Sequence, residues 1–121
     1  MATKIDKDLK IIKRSISGVL QTDRAIKLVR ELSKAANHQR GNNILVDLRG
    51  TMIGLEMIDL MAITSAFSKR LSNFDSKIAL LLTNTRGRVR FAQLFKSCMV
   101  AQGFEFNQFF DYDTAVEWLS K

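Results

Sequence analysis

The chain has 121 residues, 46% hydrophobic and 26% charged, with no proline and a formal net charge of +7. That length suits one domain, 1–121, with its own core, and the composition is that of a globular protein rather than a disordered one. No apolar run approaches the roughly 20 residues of a membrane helix, and "MATKIDKDLK" alternates charges where a signal peptide would be apolar, so no transmembrane segment and a cytoplasmic location are expected.

In chain order, "ATKIDKDLKIIKRSISGVLQ" reads as two strands around a tight "DKD" turn. In the second strand Ile12, Ile16 and Leu20 share one face, and Lys13, Ser15 and Ser17 share the other, a period of two with a wet side. Thr22 is the expected N-cap of a first helix, with Asp23 in the turn where the dipole favours negative charge. Ala25, Leu28, Val29, Leu32 and Ala36 follow at helical spacing, and Arg24, Lys27, Arg30 and Lys34 centre on the opposite side. The loop "NHQRGNN" holds the single histidine, His38, read as a surface loop residue.

"ILVDL" (44–48) is short and β-branched, as a central strand should be. "RGTMIGLEMIDLMAITSAFSKRLS" opens as a loop and turns helical near Leu55, with Leu60, Ile63, Phe67 and Leu71 as its core stripe. "KIALLLT" (77–83) is a second central strand. "GRVRFAQLFKSCMVAQ" then forms a helix burying Phe91, Leu94, Phe95, Cys98 and Met99, with Gly103 as its C-terminal cap. "FEFNQFF" alternates as a strand, and Asp111 caps a last short helix that turns Ala115, Trp118 and Leu119 inward. Strands and helices alternating at these lengths imply parallel strands and right-handed crossovers. The predicted fold is therefore α/β: a single mixed sheet, mostly parallel, joined by successive β-α turns, with an N-terminal antiparallel edge strand.

With this order, four stretches bear a likeness to a known family: "SISGVL" leading into a helix, "ILVDLRG", "KIALLLTNTRGRVRFAQLF" and "GFEFNQFFDYDTAVEWL". Together they span nearly the whole chain, which resembles the STAS superfamily, especially its small stand-alone SpoIIAA-like (STAS/SEC14-like) members. The resemblance implies a non-enzymatic regulatory or ligand-binding module without a cofactor. Its best-known members are switched by phosphorylation of a serine in an Asp-Ser motif. The matching stretch here, "LRGTMIGLEMID", contains no serine, and its only hydroxyl is Thr51 with no acid before it. The phospho-serine switch is therefore expected to be absent.

In open α/β sheets the loops leaving the carboxyl ends of parallel strands gather at one edge, where ligands bind. Those loops, 48–51 and 84–88, would bring Arg49, Thr51, Asn84, Thr85 and Arg86 together as an anion site, with a third loop at 111–113. Basic residues at a helix start oppose the dipole, and a bound anion would relieve them. The competing reading pairs Arg86 or Arg88 with Asp47 or an acid of the last helix. Arg88 and Arg90 lie about 200° apart on a helix, so they do not form one nucleic-acid stripe. The charge map agrees: residues 1–40 carry +6, residues 41–80 balance, and residues 81–121 carry +1. That excess favours weak attraction to anionic surfaces and tells little about specificity; nucleic acid is expected to be an unlikely partner. No nucleotide-loop motif is present.

Asp47 interrupts an apolar strand and is read first as an acceptor for the following loop; the enzymatic alternative has it working with Arg49 and Arg86. Glu56 and Asp59 could join Asp47 around a hard cation, a weak pattern that predicts no metal site. Cys98 has no partner for a disulfide. Finally Met52, Ile53 and Leu55, with Leu80 or Leu81 of the sheet, need cover. Homodimerisation, a protein partner, or the core itself could supply it; a small anionic or lipid-like ligand is the other class of partner.

Overall fold

The computed structural model describes residues 3–71 and 74–121. Five strands, β1 (Lys4–Asp6), β2 (Ile11–Leu20), β3 (Asn43–Ile53), β4 (Lys77–Leu81) and β5 (Glu105–Phe109), form one sheet in chain order. β1 is antiparallel to β2, and every later pairing is parallel. Between them run α1 (Thr22–His38), α2 (Met57–Arg70) and α3 (Arg86–Ala101), with α4 (Tyr112–Leu119) at the end. This is the predicted α/β architecture, with its antiparallel edge strand.

Side-chain parity decides which face each helix covers. Ile12, Ile16, Ile44, Val46, Ile78 and Leu80 point into the larger core, where they meet Val29 and Leu32 of α1, Leu60 and Phe67 of α2, and Phe95 and Met99 of α3. The opposite residues, Ile11, Leu45, Ala79 and Leu81, meet Ala115 and Leu119 of α4. The apolar run "ALLL" thus finds cover on both faces without a second chain: Leu80 under the three-helix layer and Leu81 under α4.

Local chemistry moved several element ends from their expected places. Gln21, not Thr22, is the N-cap residue of α1, and its side chain makes no capping bond. α1 runs on to His38, so the histidine ends a helix, exposed, with Nδ1 3.1 Å from the Lys34 carbonyl oxygen. In α3 the buried stripe is Phe91, Ala92, Phe95 and Met99. Leu94 is exposed and Cys98 half-buried, because the stripe centres nearer Phe95 and these two lie on its flank.

The largest departure lies in β3. The segment 48–51, expected as a loop, stays extended and paired with β2 as far as Leu20 and Ile53. Between Ser15↔Asp47 and Ser17↔Gly50 the register slips by one residue, so β3 carries a bulge near Leu48 and Arg49. β4 ends its pairing with β3 at Asp47↔Leu81. Beyond that point β3 overhangs, and its free edge faces the start of α3.

Candidate functional site

The overhanging edge of β3 presents carbonyls that no strand satisfies, and a buried backbone acceptor without a partner is costly. The partners are supplied by "NTRGRVRF". Arg88, in the first turn of α3, reaches back across β3: its guanidinium donates to the carbonyl of Thr51, to that of Leu48 (3.4 Å) and to Thr51 Oγ1 (3.4 Å). Thr51 Oγ1 itself donates to the Leu48 carbonyl at 2.6 Å. Thr83 Oγ1 donates to the Arg49 carbonyl at 3.2 Å. Where β4 stops, Arg88 and Thr83 complete the edge.

Three of the five expected anion-site residues are therefore drawn into structure. Thr51 is only 2% exposed and its hydroxyl is spent on Leu48. Thr85 is the N-cap of α3, its side chain accepting from Arg88 N at 3.4 Å. Arg49 turns to the α4 face of the sheet, where Nε and Nη2 grip Asp47 Oδ1 and Oδ2 at 3.1 and 2.9 Å. Asp47 also accepts the Arg49 N–H at 3.0 Å, which is the loop-acceptor role expected of it. The ion pair forms with Arg49, not with Arg86 or Arg88. Asn84 and Arg86 are exposed, and among the described residues Arg86 has no ion-pair partner.

Partial burial alone would raise the Asp47 carboxyl, but the side-chain and backbone hydrogen bonds from Arg49, with its charge, hold it below the usual value. Asp111, N-cap of α4, is held low by the Thr114 N–H and hydroxyl, and the charge of Arg49 adds to this. Asp59 bonds the backbone N–H of Glu56 at 2.8 Å and closes the start of α2. No group of three or more His, Cys, Asp or Glu side chains placed to hold a metal ion occurs among the described residues.

What the geometry does bring together is a groove between the β3 overhang and the start of α3. It has a volume of about 370 Å³ and is lined by Met52, Ile53, Leu55, Thr85, Gly87, Arg88 and Phe91. The three residues expected as a partner surface thus share one cleft with Thr85 of the expected anion site. One wall is apolar; the other is a helix N-terminus whose first turn holds no acid. Met52 is 69% exposed, while Ile53 and Leu55 lean on the larger core. Leu55 and Phe91 also bound a void of about 40 Å³ inside that core, so two side chains separate groove from interior.

Arg88 and Phe91 were not picked out as site residues from sequence. The signal for Arg88 was its place one turn into a helix after a strand shorter than its neighbour, and reading it required the bulge. No family model, curated protein or solved structure matches the chain.

Proposed function

We propose that the protein is a non-catalytic, STAS-like binding module, and that the groove between the β3 overhang and α3 is its ligand site. The observation that carries this reading is the convergence of Met52, Ile53, Leu55 and Phe91 with Thr85, Gly87 and Arg88 in one cleft, with the exposed Arg86 between Thr85 and Gly87 in the chain. An apolar wall facing a helix N-terminus suits a small ligand with an anionic head and an apolar body. Arg86 would meet the head together with the free N–H groups of the helix start. Regulation through such a ligand or through a protein partner fits a cytoplasmic protein of this kind, and the serine of the family's phospho-switch is missing.

An enzymatic role for Asp47 is less well supported. Its carboxylate is held in a bidentate pair and kept strongly ionised, whereas a general base works best poised near the ambient pH.

A thermal-shift screen tests the proposal, using phosphate, sulfate, nucleotides, phospholipid headgroups, fatty acids from octanoate upward and short nucleic acids. A ligand at about 100 times its Kd should add roughly 2.7 kcal/mol of stability. The proposal predicts that one anionic class stabilises the wild type and shifts Arg86→Ala much less. Equal shifts in both proteins, or none, would remove the site.

A further inference from the structure

A second groove lies on the outer side of the helix layer, between α2 and α3, with a volume of about 550 Å³. Met57 and Met61 of α2 form one wall, Ser65 and Ser68 continue it, and Cys98 and Ala101 of α3 lie opposite. These positions follow from helical spacing: 57, 61, 65 and 68 descend one side of α2, and 94, 98 and 101 the facing side of α3. Met57 is 47% exposed, Met61 59%, Leu94 36%, and Ile58 beside them 72%. Ser68 Oγ donates to Gln102 Oε1 at 3.3 Å and ties the two helices together at the carboxyl end. The groove thus has a methionine ridge on α2 and small side chains, Cys98 and Ala101, along α3.

The one charged side chain in its lining is cationic. No carboxylate lines it, and Lys69 stands at its carboxyl end. α3 carries Arg86, Arg88, Arg90 and Lys96 and no acid at all. Arg90 is exposed one turn before Leu94 on the groove side. The acid within α2, Asp59, bonds the backbone of Glu56 at the helix start. Lys69 therefore stands at the carboxyl end of the channel, and Arg90 lies toward its amino end, where Glu56 is also exposed at the start of α2.

We infer that this groove docks an acidic amphipathic helix from another protein, its apolar stripe against Met57 and Met61 and its carboxylates toward Lys69 and Arg90. Helix-in-groove recognition lays an apolar stripe into an apolar groove, and a methionine wall adapts to varied side chains. Charge complementarity selects the occupant. A second copy of this chain would set a cationic rim against a cationic rim. This groove is separate from the one between β3 and α3.

Methionine methyl NMR tests the inference directly. Met57 and Met61 report this groove, Met52 the other one, and the fully buried Met99 the core. The probes are a synthetic amphipathic helix of about four turns with glutamates beside a leucine stripe, its lysine counterpart, and vesicles of phosphatidylcholine with phosphatidylglycerol. The glutamate peptide should move the Met57 and Met61 signals saturably, leave Met52 and Met99 in place, and bind more weakly as salt rises. Lys69→Glu/Arg90→Glu should lose roughly tenfold in affinity for it and come to prefer the lysine peptide, with an unchanged Met99 signal certifying the fold. The inference fails if neither peptide moves Met57 and Met61, if both bind the wild type equally, or if only the vesicles do.

Discussion

Arg88 shows how much a single side chain can decide here. It is the only one of the three arginines in "NTRGRVRF" that bonds both the Leu48 and Thr51 carbonyls, and it does so half-buried. Arg88→Ala should therefore cost about 1–3 kcal/mol in urea unfolding, because it strands acceptors at the β3 edge. Arg88→Lys should recover only part of that, since one ammonium lacks the guanidinium's fork of donors. Arg86→Ala, at an exposed position, should stay within about 0.5 kcal/mol of wild type. Asp47 makes a prediction about pH. Its carboxyl is depressed below the ordinary 3.8 in the folded state, so its pair with Arg49 stabilises fully above 3.8 and is lost as pH falls through the lower folded value. Asp6, Asp59 and Asp111 shift the same way. The Tm should fall on acidification through that window, and less steeply in Asp47→Asn.

At the scale of the element, α3 begins in conflict with its own dipole. Thr85 caps it, yet its first turn brings arginines and no acid to the positive end of the helix. Arg86→Glu should consequently raise stability by about 0.3–1 kcal/mol while abolishing the anion response expected of the β3–α3 groove. Stability and binding moving in opposite directions at one residue is a sharper sign of a site than either change alone. A variant that loses both would mean that Arg86 serves the fold.

For the whole molecule, alternation of period and length made the mostly parallel sheet and its antiparallel edge strand readable, whereas the cover of Leu80 and Leu81 on opposite faces came from the structure. The bulge was not readable. "LRGT" carries a glycine and an arginine that suit a loop, and only the long partner strand β2 holds it extended. Because of that bulge Thr51 faces the core, while plain alternation from Leu45 and Asp47 puts Arg49 on the far side of the sheet. Both of these expected site residues lie outside the groove. Met52, Ile53 and Leu55 were legible as apolar side chains short of cover, but their neighbours Arg88 and Phe91 came from a tertiary approach that no local pattern encodes. The two cores also differ in depth. β3 and β4 are covered on both faces, whereas α4 is eight residues long and seals a small core. Hydrogen exchange should find the slowest amides in β3 and β4 and an earlier opening of α4.

The most direct measurement is a titration of the ¹⁵N-labelled protein with octanoate, an anionic head on a short apolar tail, following every backbone amide. The proposed ligand site predicts saturable shifts confined to residues 52–55 and 85–91, weakened in Arg86→Ala. Shifts that never saturate, or that gather instead at the opposite end of the sheet around Asn37, Arg40 and Gly41, would contradict it.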